Sequence, residues 1–440
     1  MAANGANSIS VLLATAVGLG AIIGAGIFVL SGTAISLAGA YALIAFIVVG
    51  IVAIIVALEF GELGSIVPHA SGATYSYVYK AFGSELGFVT GILKYFNWAT
   101  SISVISLGFG AYLATLFGAN SLYDIPLAIV LIFVLAIVNL LGVKKAAKAD
   151  LVLVIVKLLA LLAFVIFALL FVFNSGISFS NFTVSPEQGT IGSIFAASMV
   201  IFFAYSGFQT VATLTPKIKG GPNAAGRAIL YAVLASTVVY VLVVFCMMLL
   251  LPVSQYGLAA DPLTQALQNV SAPLWLFYVV DIGALVATAS AALAMMISSS
   301  RMLYQMGQDR LLPRFFRRYN KKRDVATNSV ILSSIIAIIA LFAGNLFVIT
   351  SISNFGLLFA YLMTSFALIH FRRIKQIGTF RVPLYPYLPV IAIGALLLFF
   401  IGMPNEALLF GVFMIIISIL VYYFFREIDN KRVIRIRLFK

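Results

Sequence analysis

Charged residues are scarce in this sequence. Asp, Glu, Lys and Arg make up 9% of its 440 residues, whereas a soluble protein carries about 25%. The mean hydropathy is +1.15, and residues 1–58 contain no charged side chain at all. These values exclude an ordinary soluble domain and predict an all-α protein that crosses a lipid bilayer many times.

Cysteine is also nearly absent. Cys246 is the single cysteine, so no internal disulfide can form. The first apolar run has no basic segment before it and continues far beyond signal-peptide length, so we expect no cleavable signal. A formal net charge of +14 is also found in nucleic-acid-binding proteins. Here, however, the basic residues lie in short loops between apolar runs, so we expect no nucleic-acid partner.

Apolar runs of about 20 residues, the length that crosses a bilayer as a helix, recur along the chain. Several runs are longer than a straight crossing needs, which predicts tilted, kinked or partly unwound helices. We predict twelve transmembrane spans, at residues 9–36, 39–66, 84–116, 125–142, 148–173, 190–214, 226–251, 272–304, 327–344, 346–370, 385–402 and 406–425.

The distribution of charge supports this count. If both termini are cytoplasmic, every Lys and Arg except Lys94 and Lys157 falls on the cytoplasmic side, as the positive-inside rule requires. A wrong number of spans would disrupt this alternation from the error onward. The sequence therefore predicts a multi-pass protein of the cell membrane with both termini in the cytoplasm. All charged residues of the predicted outer loops are acidic, namely Asp124, Glu187, Asp261 and Glu406.

Glycine interrupts the first span. Residues 18–28 read GLGAIIGAGIF, and we predict a half-helix that ends near Ile23, a break at residues 24–26, and a second half-helix from Ile27. In hydrocarbon an unwound backbone leaves polar groups unpaired, so it persists only where protein or a wet cavity surrounds it. Such a break is therefore a candidate ligand site. Helix packing through small residues is the alternative explanation of these glycines.

A related interruption lies in span 6, where residues 201–209 read IFFAYSGFQ. Spans 1 and 6 open two successive five-span units, and a unit with an odd number of spans must recur with inverted topology. Interrupted spans at corresponding positions of two halves indicate a transporter binding site. We predict a first repeat at residues 1–174, a second, inverted repeat at 175–371, and spans 11 and 12 with a basic tail at 372–440.

Short motifs accompany these breaks in a specific order, at residues 18–28, 61–68 (GELGSIVP), 71–77 (SGATYSY), 81–83 (AFG), 203–207 (FAYSG), 300–304 (SRMLY), 312–313 (LP) and 382–386 (VPLYP). Together they make the chain resemble members of the amino acid–polyamine–organocation (APC) superfamily, which has the LeuT-like fold. One departure is the loop after span 6. The family commonly has an acidic, Asn-Pro-containing loop there, whereas this chain has residues 216–219 (PKIK).

The resemblance implies an amino acid as substrate. The start of a half-helix attracts a carboxylate through its unpaired N–H groups, and carbonyl groups at the end of a half-helix attract an ammonium group. In similar transporters the carboxylate meets the glycine motif, the amine meets carbonyl groups of both breaks, and an aromatic residue at the position of Phe203 covers the substrate. The implied site consists of Ala21, Ile22, Gly24, Ala25, Gly26, Ile27, Phe203, Ala204 and Ser206.

Polar side chains on two spans are further candidates. Asn97 and Ser101 on span 3 and Ser290 on span 8 are expected to line the substrate pocket. The alternative for all three residues is interhelical hydrogen bonding, a common role of polar side chains in membrane helices. For Phe203 the alternative is ordinary core or lipid-facing packing.

Lys157 lies deep within span 5, where a charged and unpaired lysine is costly. The resemblance, through residues 156–159 (VKLL), implies that its ammonium group takes the place of a sodium ion beside the first half of span 1. It would bond a carbonyl group near Val17, Gly20 or Ala21 and a hydroxyl such as that of Ser290. We expect this lysine to couple transport to proton movement or to act as a fixed substitute for sodium. A structural link between spans 5 and 1 is the alternative.

The remaining charges within or beside the spans lead to two further expectations. Lys94 and Asp281 lie at similar depth, and we hypothesise that they pair. Glu59 and Glu62 lie one turn apart at the cytoplasmic end of span 2, where Glu62 is expected to form part of an inner gate with an Arg or Lys partner. Solvated end charges are the alternative.

These features predict a secondary active transporter that moves neutral L-amino acids by alternating access, coupled to protons or as a sodium-independent exchanger. Polyamine or organic-cation transport is the first alternative, but it needs an acidic pocket that only Asp281 could supply. A proton or ion channel subunit is an alternative from another class, which would not need two matched breaks. No nucleophile, acid–base pair, metal ligand set or nucleotide loop is recognisable, so we expect no enzyme activity, metal or cofactor. The oligomeric state stays open.

Overall fold

The computed structural model describes residues 9–67, 74–142, 146–176, 178–209, 211, 218–320 and 322–438, with side chains at all of these except 146–151, 179 and 426–438. Residues 71–73 of one motif and 216–217 of the loop after span 6 lie outside the described residues. The described part of the chain is helical, apart from short loops and two isolated β-bridges. The all-α prediction is therefore confirmed.

The helices follow the apolar runs of the sequence closely. The first nine are α1 (Val11–Ile22), α2 (Ala25–Val29), α3 (Ser31–Ala38), α4 (Ala42–Ile66), α5 (Thr74–Phe82), α6 (Ser84–Leu116), α7 (Asp124–Leu141), α8 (Ala146–Ser175) and α9 (Ile191–Tyr205). The others are α10 (Gly221–Leu250), α11 (Pro262–Asn269), α12 (Leu274–Gln308), α13 (Thr327–Ala340), α14 (Leu346–Arg373), α15 (Tyr387–Ile401) and α16 (Asn405–Leu438).

Nine helical stretches among the described residues are long and apolar enough to cross a membrane. Three shorter apolar helices, α9, α13 and α15, coincide with predicted spans 6, 9 and 11. The structure therefore supports a multi-pass membrane protein, while the count of twelve spans stays a prediction. One difference is at the C-terminus, where α16 continues to Leu438 although the apolar run ends near Phe425.

Local sequence signals fix the ends of several helices. The side chains of Ser10, Thr190 and Asn345 accept hydrogen bonds from backbone N–H groups in the first turns of α1, α9 and α14. Such caps satisfy donors that have no partner within the helix. Gly83 has a φ of 89° and allows the sharp turn from α5 into α6.

Helix α6 lies at the centre of the bundle and packs against α7, α12 and α14. Helix α4 packs against α9 and α10, and α1 lies between α8 and α10. As a result, the two interrupted segments, α1–α2 and the end of α9, are surrounded by other helices.

The bundle has a basic end and an acidic end. At the basic end, Arg301 and Arg372 form ion pairs with Asp324 and Glu62. Helix α7 runs from Asp124 at the acidic end to the basic end, where the carbonyl group of Leu140 accepts a hydrogen bond from Arg323.

Candidate functional site

The first break separates α1 from α2 at Ile23 and Gly24. The Ile23 N–H still donates to the carbonyl oxygen of Leu19 at 2.7 Å, but the Gly24 N–H turns back to the carbonyl of Ile22 at 2.8 Å. Ala25 is already helical. The break was predicted at residues 24–26, and the structure makes it shorter and one residue earlier.

The second break follows α9. Ser206 is extended, with ψ at 143°, and Gly207 has a φ of 126°, a backbone conformation that side chains with a Cβ atom rarely adopt. Both the N–H and the hydroxyl of Ser206 donate to the carbonyl of Phe203, at 3.0 Å and 2.7 Å. The interruption predicted at residues 201–209 is therefore present.

The two breaks lie directly against each other. A Cβ atom added to Gly207 would be 2.4 Å from the carbonyl oxygen of Ala21, and one added to Gly26 would be 2.3 Å from the Cα atom of Ala204. Only glycine permits such close contact between backbones. Gly26 is therefore a residue of α2 that allows this helix to pack on Ala204 of α9. Gly207 allows both the turn with positive φ and the close contact with Ala21.

Tyr240 on α10 joins the two breaks through one hydroxyl group. This hydroxyl lies 2.8 Å from the carbonyl oxygen of Ile22 and 2.9 Å from that of Ala204, and the side chain is fully buried. Carbonyl groups that were expected to be open to a ligand thus have a protein donor. Sequence reasoning missed this residue because a tyrosine in an apolar span carries no local signal.

Lys157 reaches the first half of span 1. Its ammonium group donates to the carbonyl oxygen of Gly20 at 3.2 Å, and its side chain is buried. The close approach of α8 depends on Gly20, because an added Cβ atom would lie 2.0 Å from Val154. Ser290, the other residue expected at this position, donates its hydroxyl to the carbonyl of Ala287 within its own helix at 3.1 Å.

Asn97 and Ser101 face α14. The Asn97 amide donates to the carbonyl and the hydroxyl of Ser353, both at 3.0 Å, and the Ser101 hydroxyl lies 2.9 Å from the same hydroxyl. This is the interhelical bonding that polar residues commonly provide in membranes. Contact between these two residues and a substrate stays a prediction.

The hypothesis that Lys94 pairs with Asp281 is wrong. The ammonium group of Lys94 donates to the side-chain oxygen of Asn97 at 2.8 Å and lies about 5 Å from the ring centres of Trp98 and Tyr361. Asp281 accepts a hydrogen bond from Thr264 at 2.5 Å instead. The sequence predicts the depth of each residue in the membrane, but it does not show which face of its helix each side chain occupies.

Glu62 is fully buried at the basic end and forms a two-point ion pair with Arg372. The Arg372 Nε and Nη2 atoms lie 2.5 Å and 2.9 Å from its two carboxylate oxygens, and the backbone N–H of Val382 donates to it at 2.6 Å. The expected arginine partner is therefore present, and solvated end charges are excluded for this residue.

The segment after α14 packs across the basic end. The ring of Phe380 lies against Gly61 on α4 and Gly226 on α10, where added Cβ atoms would be 3.0 Å and 2.4 Å from it. A Cβ atom added to Gly378 would lie 1.9 Å from the hydroxyl oxygen of Ser65 on α4. Residues 374–386, which we call the basic-end loop, are thus held by the Glu62–Arg372 pair and by this aromatic contact.

A cavity of about 460 Å³ opens at the acidic end, a size suited to a small molecule. Leu107 and Ala111 of α6 line it, and Gly108 of the same helix packs on Val29 of α2. Burial raises the pKa of Asp261 in its wall, although a hydrogen bond from Thr115 opposes this shift.

Comparison with known proteins agrees with this architecture. The sequence model of the amino acid permease family matches residues 14–435. The chain is 28% identical to a methylthioribose transporter of Bacillus subtilis, over 96% of this chain and 93% of that protein. It is 26% identical to the branched-chain amino acid permease BcaP of that bacterium, over 95% and 92%. The identity to its gamma-aminobutyric acid permease is also 26%, over 93% and 92%.

The family match covers both breaks, the Lys157 contact and the basic-end loop. The chain therefore belongs to the amino acid permease family of the APC superfamily, and it is a membrane transporter and not an enzyme.

Proposed function

We propose that this protein is a secondary active transporter that moves neutral L-amino acids across the cell membrane by alternating access. The observation that carries the proposal is the contact between the two breaks, where Gly26 meets Ala204 and Gly207 meets Ala21. Membership of the amino acid permease family supports the substrate class. In this proposal the breaks belong to two inverted repeats, and both termini are cytoplasmic.

Backbone groups bind both charged ends of the substrate in this proposal. N–H groups in the first turn of a helix have no carbonyl partner within it, so the start of α2 receives the carboxylate. The amine takes carbonyl groups at the ends of α1 and α9, and Phe203 covers the bound molecule. The proposed contacts are Ala21, Ile22, Gly24, Ala25, Gly26, Ile27, Phe203, Ala204 and Ser206.

The charge near the breaks favours a neutral substrate side chain. The buried ammonium group of Lys157 lies beside Gly20, one turn before the first break, and would repel a second cation. This argument opposes polyamine transport. The cavity at the acidic end serves as the outer entrance, while the Glu62–Arg372 pair and Phe380 close the basic end towards the cytoplasm.

Lys157 is the proposed coupling residue, and its replacement tests that role. We expect Lys157→Gln to lower uptake about tenfold or more, because a buried hydrogen bond from a charged group contributes about 1.5–3 kcal/mol. The response of uptake to a pH gradient should be lost at the same time. The exposed residue Lys80 provides the control variant Lys80→Gln, which should behave like the wild type. Wild-type rate and pH dependence in Lys157→Gln would exclude the coupling role.

Counterflow in proteoliposomes tests the proposed function itself. Vesicles loaded with one unlabelled amino acid at a time should accumulate the labelled form transiently when it is the substrate, since a carrier exchanges its ligand across the membrane. Neutral L-amino acids should support counterflow and polyamines should not. A channel would give no transient accumulation with any compound, which would contradict the proposal. A thermal-shift screen of the purified protein selects the compounds to be loaded.

A further inference from the structure

Glu59 is a buried acidic residue without an assigned role. It lies on α4 one turn before Glu62, and its side chain is fully buried. The Oε2 atom lies 2.6 Å from the Ser365 hydroxyl oxygen on α14, within hydrogen-bond distance. The Oε1 atom is also buried, and within the described ranges no group donates to it.

Among the residues that the structure describes, none supplies a positive charge for a carboxylate at this position. Arg372, the basic residue near this part of α4, is already bound at two points to Glu62. A second negative charge would therefore be repelled by Glu62 and uncompensated, a costly arrangement in a buried site. Ser365 and Glu62 are the groups that act directly on Glu59. The other described titratable side chains on the helices packed against α4 include Tyr205, Arg227, Tyr231, Tyr240, Tyr361, His370, Arg372 and Arg373, of which Arg227, Tyr231 and Arg373 are exposed.

The hydrogen bonds of Ser365 fit a protonated neighbour. Its hydroxyl oxygen lies 2.6 Å from Glu59 Oε2 and 3.3 Å from the carbonyl oxygen of Tyr361, but a hydroxyl has one hydrogen to donate. If Glu59 carries a proton, it donates to Ser365, and Ser365 donates to Tyr361. One hydrogen atom then lies between Glu59 and Ser365, and another lies between Ser365 and the carbonyl oxygen of Tyr361.

We propose that Glu59 is a proton-binding site, separate from Lys157, that loads and releases a proton at the basic end during transport. When the basic-end loop separates from α4, water reaches the carboxyl group. Release breaks the O–H bond of Glu59, transfers the proton to water and leaves a carboxylate. Closure buries the group again and requires a proton to return. The link to transport rests on the proposed function, whereas proton binding itself does not.

Infrared difference spectroscopy detects this proton directly. Protein grown with carbon-13 glutamate should show the carbonyl band of a protonated buried carboxyl group, shifted by the label, and this band should be absent in Glu59→Gln. Glu85→Gln removes a carboxyl group at the surface end of α6 and provides the control, in which the band stays. Absence of the band in the wild type would overturn the proposal.

Uptake measured against pH tests the role in transport. Above the midpoint of a single required protonation, the wild-type rate should fall about tenfold for each pH unit. Glu59→Gln should be flat over this range and still catalyse counterflow, while Glu59→Asp, which keeps a carboxyl group, should retain a pH response. Glu59→Gln with the wild-type pH response would overturn the transport role. If the wild type shows the infrared band but no amino acid counterflow, the proposed function fails and proton binding stands.

Discussion

Gly207→Ala is expected to reduce uptake about a hundredfold, the effect of a penalty of about 3 kcal/mol. Two free-energy penalties, backbone strain and overpacking, add together at this position. A residue with a Cβ atom in the backbone conformation of Gly207 is strained by about 1–3 kcal/mol, and overpacking of a tight contact adds about 1–3 kcal/mol. Both act at the contact with Ala21, where an added Cβ atom would be 2.4 Å from a carbonyl oxygen.

Three matched variants separate these two costs. Gly26→Ala tests contact alone, since its φ is not positive and its Cβ atom would meet Ala204 at 2.3 Å. Gly221→Ala tests backbone strain alone, because φ is 67° and no described atom lies within 4 Å. Gly394→Ala has neither cost and should match the wild type. Uptake and the amount of monodisperse protein are measured for each. Equal uptake by Gly207→Ala and Gly394→Ala would contradict the close contact of the breaks.

Arg372→Ala is expected to destabilise the protein by about 3–5 kcal/mol, the usual cost of leaving one partner of a buried ion pair behind. Glu62 is fully buried, so among the described residues its carboxylate would keep the N–H group of Val382 as its one donor. The measurement is the free energy of unfolding in a detergent titration. Loss of this pair should also release the basic-end loop from α4.

Two control variants distinguish loss of the Glu62–Arg372 ion pair from a general effect of removing an arginine. Arg373 is exposed beside Arg372, so Arg373→Ala should leave the free energy of unfolding within about 0.5 kcal/mol of the wild type. The double variant Glu62→Gln with Arg372→Met removes both charges and should recover much of the loss, because no uncompensated charge is left. A double variant as unstable as Arg372→Ala would show that the pair acts through packing.

Hydropathy was sufficient to predict most helices, because apolar runs and their polar ends are local features. Helix α6 coincides with its predicted span of 84–116, and the boundary between spans 1 and 2 matches the end of α3 at Ala38. The position of the first break was less accurate. Gly26 was assigned to the break because glycine favours unwinding, whereas its role is to admit Ala204, a contact that no local pattern reveals.

Side-chain partners were predictable only where chemistry restricted the choice. A buried Glu62 required a basic partner, and Arg372 provides it across 310 positions of sequence. Lys94 had several possible partners, and its pairing with Asn97 depends on a spacing of three residues along one helix. Tyr240 had no such restriction, since its hydroxyl bonds backbone groups, which every residue carries.

The single hydrogen of the Tyr240 hydroxyl has a consequence for ligand exchange. It is shared between two acceptors, the carbonyl groups of Ile22 and Ala204. In the proposed function, the ammonium group of an incoming amino acid donates one hydrogen to one of these carbonyl groups while the tyrosine hydroxyl keeps donating to the other. Tyr240 would then serve both carbonyl groups in the empty carrier and one of them in the loaded carrier, so that neither carbonyl group is left without a donor.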